Sequence, residues 1–352
     1  MRSLGMKLLA FAAVAITTAP VFAQSDTRGA KADVAMEFRP SKIINSPLGV
    51  TMGFAAQIAE NREKAGAPDL KTLERVFTGL VAPANSEGLE EIQAGKKNNL
   101  QFFARLEFSS AESASVMLEQ MKKGSSGNFE KNGKTYYTPP ESANMPTGTV
   151  VFLANEKVVE IASEGFAYRN NEMPFTDNLA TAWKAMPDAA LKVTIDGANA
   201  RGLLESLAKE GKKSAGGNPI AEAVIDLLPT MNNINLSFDL SSADLIMLNM
   251  VGSDEDKATD INDGFQSLLT FAKPAAQGIL PMIEQQSPKA AAVFSKLVNG
   301  MTVKRESKSV TLHIPRPEGF EEVIKESLPS AQRAFRTLIG GRKSSAPSPA
   351  AP

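Results

Sequence analysis

The feature that most constrains this chain is an internal echo. The alternating apolar pattern of its first half returns in its second half at a nearly constant spacing. Val34, Met36 and Phe38 alternate along one face, and Leu191, Val193 and Ile195 repeat them 191 − 34 = 157 positions later. Period-2 alternation is the signature of a half-buried strand. Val76, Thr78 and Leu80 recur as Ile234, Leu236 and Phe238 at an offset of 234 − 76 = 158. Phe102, Ala104 and Leu106 recur as Ile246, Leu248 and Met250 at 246 − 102 = 144, so the first half carries the longer connection, Ala82 to Asn99.

Helical segments repeat as well. Leu48, Met52, Ala55 and Ala59 make a stripe ended by Gly66 and Pro68, and Leu203, Leu204 and Leu207 make a shorter one. Further on, Ala114, Met117 and Met121 match Ala258, Ile261 and Phe265, at positions i, i+3 and i+7 of one helix face. Both of these helices open on Ser and acidic residues (Ser109, Ser110 and Glu112; Ser253 and Asp254 to Asp256), which satisfy free N–H groups and the helix dipole.

Hairpins close each half. Asn132-Gly133 is a type I′ turn signal. Val150 to Leu153 pairs with Val158 to Ile161, and Met301 to Arg305 with Val310 to Ile314 around Ser307. Val159 and Ile161 align with Leu312 and Ile314 at 312 − 159 = 153. The tripeptide Glu-Gly-Phe follows both hairpins, at Glu164 and Glu318.

Together these predict an α+β chain of two tandem ferredoxin-like modules, each β-α-β-β-α-β plus a hairpin strand, with antiparallel sheets and helices on one face. The expected boundaries are 33–172 and 173–339. The outer face of the third strand reads Gln101, Phe103, Arg105 and Glu107 in the first module, but Leu245, Met247, Asn249 and Val251 in the second. The more apolar second version is expected to be covered by the other module.

The ends predict export. Arg2 and Lys7 precede an apolar run, Leu8 to Ala19; Pro20 ends it, and Val21-Phe22-Ala23 offers a cleavage site after Ala23. This is the order of a signal peptide, 1–23, with an apolar run too short to span a bilayer. The mature chain would have 352 − 23 = 329 residues, with a flexible start at 24–32 and a disordered Pro/Ala/Ser tail at 340–352. The expected location is periplasmic or extracellular, with no transmembrane segment in the mature chain.

Composition excludes more chemistry than it supports. With no cysteine there is no disulfide, thiol nucleophile or thiolate metal site. A net charge of −1, with basic residues at most in adjacent pairs, argues against nucleic acid. The single histidine, His313, is read as a strand residue facing water beside Thr311 and aligned with Glu160; it has no second histidine with which to bind zinc. Ser206-Leu207-Ala208-Lys209 lacks the accompanying motifs of penicillin-recognising enzymes. Asp254 to Asp256 with Asp260, Asn262 and Asp263 supplies oxygen ligands but breaks the EF-hand order, which leaves calcium open there. No phosphate loop occurs. Tyr136 and Tyr137 are read as hairpin residues, and Trp183 as packing between modules. No catalytic, cofactor-binding or metal residue is singled out, and no cofactor is expected. The sequence favours an exported non-enzymatic protein that binds a ligand or protein partner in the groove between modules. The alternatives are a carboxylate-dependent hydrolase and a structural envelope protein.

Overall fold

The computed structural model describes residues 31–51, 70–82, 101–123, 125–139, 148–168, 174–215 and 225–326, with a few isolated positions between. The expected leader, the tail and most of the long connection after Ala82 lie outside the described residues.

The strands of the first half are β1 (Val34–Phe38), β2 (Leu73–Leu80), β3 (Phe102–Phe108), β4 (Gly127–Lys131), β5 (Lys134–Thr138), β6 (Thr149–Asn155) and β7 (Val158–Ser163). Those of the second are β8 (Leu191–Asp196), β9 (Met231–Phe238), β10 (Asp244–Gly252), β11 (Thr302–Glu306) and β12 (Ser309–Pro315). All lie in one sheet of twelve strands, ordered β11-β12-β10-β9-β8-β1-β2-β3-β7-β6-β5-β4. Every named strand pair is antiparallel.

Mixed α+β architecture with antiparallel pairing is therefore observed. The ferredoxin-like order is not. In a split βαβ unit a third strand separates the first two, whereas here β2 pairs directly with β1, and β9 with β8, along full registers. The order of elements along the chain is the same in both topologies, so alternation cannot distinguish them. Counting outward from the centre, each half repeats one sequence of strands: β1-β2-β3-β7-β6 and β8-β9-β10-β12-β11. Only the first half adds the hairpin β4–β5, turning at Asn132 (φ 51°) and Gly133 (φ 72°), both left-handed as a type I′ turn requires.

The ladders correct one alignment. Leu106 pairs with Val159, and its counterpart Met250 pairs with Val310. The last-strand offset is thus 310 − 159 = 151, two residues short of the expected 153, and His313 corresponds to Ala162 rather than Glu160. A two-residue slip keeps every side chain on its face, so the pattern is blind to it.

Helices cover the sheet unevenly. In the first half, α1 (Pro40–Ile44) and α2 (Pro47–Thr51) follow β1, and α3 (Ala111–Lys122) follows β3, capped by Ser110. Ala114, Met117 and Leu118 of α3 pack on Val76, Leu106, Val159 and Ile161. The opposite face of this half is also covered, contrary to the expectation of helices on one side. There α4 (Glu164–Ala167) and α5 (Asp177–Ala185) bring Phe166, Leu179 and Trp183 onto Phe77, Phe103 and Phe152.

In the second half, α6 (Arg201–Ala215) follows β8. It buries Leu203 and Leu204 but leaves Leu207 42% exposed, so Leu207 does not join the expected stripe. Helix α7 (Glu255–Gln286) runs 32 residues, roughly 48 Å at 1.5 Å per residue, through Pro274 and Pro281. Ala258, Ile261 and Phe265 near its start are buried against the sheet. Its later part packs on α8 (Pro288–Gly300) and exposes Phe271, Ile279 and Met282.

Candidate functional site

The two halves join edge to edge through β1 and β8. Val34 pairs with Ile195, Met36 with Val193, and Phe38 with Leu191. Under the offset of 157 these pairs map onto themselves, so a local two-fold axis passes through Met36 and Val193, as in a self-complementary dimer contact. The flanking ladders obey the same symmetry, Met36 pairing with Thr78 and Val193 with Leu236. A row therefore crosses five strands in register: Thr78, Met36, Val193, Leu236 and Leu248. At about 4.8 Å per strand it is roughly 19 Å long.

Every member of this row is half-buried. Leu248 belongs to the core under α7. Met36, Val193 and Leu236, and Leu191 beside them, join none of the four apolar cores among the described residues. A large sheet buries its middle most easily, so part-exposed apolar side chains there are the least expected feature of the fold.

The other face of the seam is closed by α5. Trp183 packs edge-on against Phe77, centroids 5.4 Å apart, and against Phe175 at 5.8 Å, and is 7% exposed. From the second half, Lys192 lays its ammonium 4.3 Å from the Trp183 ring. Burial pushes the Lys192 pKa down, with the charge of Glu37 acting in the opposite direction. Trp183 thus packs between the halves, as its sequence context suggested.

Charged groups gather at both ends of the seam. At one end Arg39 pairs with Glu37 and, at 2.5 Å, with Asp188; Lys42 reaches Asp188 at 2.8 Å and Asp239 at 3.7 Å. The hydrogen bond from Lys42 holds the Asp188 carboxyl below its usual range. At the other end lie two buried carboxyls, Asp33 (6% exposed) and Asp196 (0%). Asp196 accepts from Thr176 Oγ1 at 2.6 Å, Asn178 Nδ2 at 2.8 Å and Asn199 Nδ2 at 2.7 Å. Asp33 accepts one bond, from the Ala82 N–H at 3.1 Å. Burial, opposed by the Ala82 hydrogen bond and aided by the Asp196 charge, raises the Asp33 pKa from 3.8 to about 7. Sequence reasoning missed this pair, because the two aspartates are 196 − 33 = 163 residues apart and lie in no motif.

The residues weighed for chemistry do not converge. Asp254 caps α7 by accepting from the Lys257 N–H at 2.8 Å, and Asp260 pairs with the Lys257 ammonium at 3.0 Å. No group of acids that could hold a metal occurs among the described residues. His313 is not simply solvated: its Nδ1 lies 3.0 Å from Asp244 Oδ2. Ser206 is half-buried and Lys209 exposed on α6. Tyr136 stacks on Phe129 across the β4–β5 hairpin at 5.5 Å. A small cleft of about 110 Å³ is lined by Arg75, Arg105, Glu107, Asn155 and Val158, and the Arg75 guanidinium is taken up by Glu107 at 2.6 Å.

On the face of the second half that carries Asn249, the β9 side chains Asn233, Asn235 and Ser237 are buried, while Met247, Asn249 and Val251 of β10 are half-buried. Asn235 donates to Asn249 at 3.1 Å, and Asn249 donates to Ser309 at 2.6 Å and Thr311 at 2.9 Å. Leu245 leaves this face at a bulge and packs with Leu48 and Leu240. No described helix is long and apolar enough to cross a membrane.

No protein-family model matches the chain, and no curated protein does. Among solved structures, crystal form I of TP0453 superposes with a TM-score of 0.38 at 14% identity, covering 86% of this chain and 98% of that one. Crystal forms III and IV give TM-scores of 0.34 and 0.36 at 13% and 12% identity, over 86% and 85% of this chain and 99% and 95% of theirs. A likeness this loose carries no argument about site or function.

Proposed function

We propose that this chain is an exported, non-enzymatic binding protein that takes an elongated apolar ligand along the row Met36, Val193 and Leu236, where its two halves join. The observation that carries the reading is the half-buried state of these residues at the centre of the sheet, outside every described core. A ligand pocket is typically apolar with a few polar groups fixing orientation. Thr78 supplies a hydroxyl at one end of the row. The carboxylate-hydrolase alternative finds no comparable support. Its strongest acid pair, Asp33 and Asp196, is buried, and Asp196 spends its oxygens on Thr176, Asn178 and Asn199.

The test is a thermal-shift and fluorescence titration of the chain beginning at Gln24 with saturated fatty acids of increasing length. Ligand at about 100 times its dissociation constant adds about 2.7 kcal/mol of stability. Saturable binding lost in a folded Val193→Lys variant supports the reading. Either no binding, or binding untouched by Val193→Lys, sinks it. Export rests on the order Arg2 to Ala23, and N-terminal sequencing of protein recovered outside the cytoplasm should begin at Gln24.

A further inference from the structure

The buried carboxyls at the end of the seam do more than fill space. Asp33 immediately precedes β1, and Asp196 ends β8; the Asp196 N–H donates to the Asp33 carbonyl at 2.7 Å, so the two meet just beyond the last pair, Val34 and Ile195, of the ladder that unites the halves. Four other segments converge on them. Ala82, just past β2, donates its N–H to Asp33. Thr176 and Asn178, at the start of α5, and Asn199, before α6, donate to Asp196. Asn233 of β9 donates to Asn178 at 2.8 Å and fixes its amide.

The two carboxyls are treated unequally. Asp196 has three neutral donors to spread a negative charge, whereas Asp33 has one. Neither has a cation as partner among the described residues. The other charged groups nearby, Lys31 paired with Asp177 at 3.1 Å and Arg201 at the start of α6, are exposed. A second buried charge opposite the first is strongly disfavoured.

We propose that Asp33 and Asp196 form a pH-sensitive clasp between the halves, closed while Asp33 holds a proton and loosened when Asp33 ionises opposite Asp196. Its mechanical output is α5. The Thr176 hydroxyl that donates to Asp196 also caps α5 by accepting from the Leu179 N–H at 3.3 Å, and Asn178 ties the first turn to the same carboxylate. When Asp33 ionises, water enters to solvate it, the Asp196 bonds rearrange, and the first turn of α5 loses its anchor. At the far end of α5 sits Trp183, which is the sole tryptophan of the chain and therefore reports on the motion.

The experiment uses the full chain. Acrylamide quenching of Trp183 is followed from about pH 5 to about pH 9, the span across which a buried acid of this kind titrates. Quenching should rise with a midpoint near 7. It should stay flat in Asp33→Asn. The midpoint should survive in Lys192→Met, which removes the titrating group in contact with the indole. It should likewise survive in His313→Asn. A flat wild-type profile, a midpoint that persists in Asp33→Asn, or one lost with Lys192→Met overturns the clasp. A second measurement needs no substitution. In protein labelled with carboxyl 13C-aspartate, one resonance should titrate near 7. If every aspartate carboxyl titrates in the ordinary carboxylate range, Asp33 is not the switch.

Discussion

Met36 and Val193 face each other on the axis that relates the two halves of the sheet, each paired on its other side with the matching strand of its own half. An internal duplication here behaves like a dimer whose interface is a strand edge. Edges left unpaired are an aggregation hazard, and joining β1 to β8 removes two of them. It also sets the most symmetric part of the molecule beside part-exposed apolar side chains.

The half-buried row should respond to truncation differently from the cores. Leu204 is 0% exposed, so Leu204→Ala should cost about 2–5 kcal/mol. Val193→Ala should cost under about 1.5 kcal/mol, because much of its apolar area is not removed from water on folding. Urea unfolding of both variants decides this. Equal costs would mean that Val193 is packed like a core residue and the row is no site.

Stability should fall as pH rises across the range where folded and unfolded Asp33 differ. The folded carboxyl keeps its proton up to about 7, while the unfolded one gives it up near 3.8. Between these values the folded state binds more protons, so raising pH favours unfolding, and above about 7 the effect levels off. A shift of this size corresponds to as much as about 4 kcal/mol. Asp33→Asn removes the slope, and chemical denaturation at several pH values from about 4 to about 8 checks it.

The sequence made strands such as β1 and β9 legible because their two faces differ in burial residue by residue. Val34, Met36 and Phe38 alternate whatever their partners are. Partner choice was not legible. Whether β2 lies beside β1 or one strand away depends on a loop closure that leaves no period in the chain. The hairpin at Asn132-Gly133 was readable because φ > 0 demands those residues locally. Trp183 was placed correctly between the halves because one large aromatic on an amphipathic helix has few other places to go. Of the candidate site, Met36 and Val193 were visible as strand residues but not as neighbours. Asp33 and Asp196 were invisible, since nothing within a few residues of either signals a buried acid.

The Asn ladder of the second half should behave as one unit. Asn249→Ala removes the acceptor of Asn235, which is only 6% exposed, and the donor to Ser309 and Thr311. Leaving a buried amide without its partner costs about 1–3 kcal/mol. The double variant Asn235→Ala with Asn249→Ala should cost less than the sum of the single variants, because the bond they share is lost only once. Additive costs in denaturant unfolding would show that the two amides are energetically independent.

Gly79 of β2 is opposite Phe103 of β3, and the Phe103 ring lies across the glycine. A Cβ added there would be driven into the edge of that ring and pressed to 3.1 Å from the Ala32 methyl. Phe103 cannot swing aside, because it is 0% exposed and held against Phe77 at 5.5 Å and Phe166 at 5.2 Å. Gly79→Ala should therefore destabilise by about 1–3 kcal/mol through overpacking, although alanine suits a strand backbone better than glycine. Phe103→Leu makes room at its own cost, so adding Gly79→Ala to it should be close to neutral. A thermal-melt cycle over the four proteins reads the coupling directly, and a Gly79→Ala penalty that is unchanged in the Phe103→Leu background would show that the ring is not the obstacle.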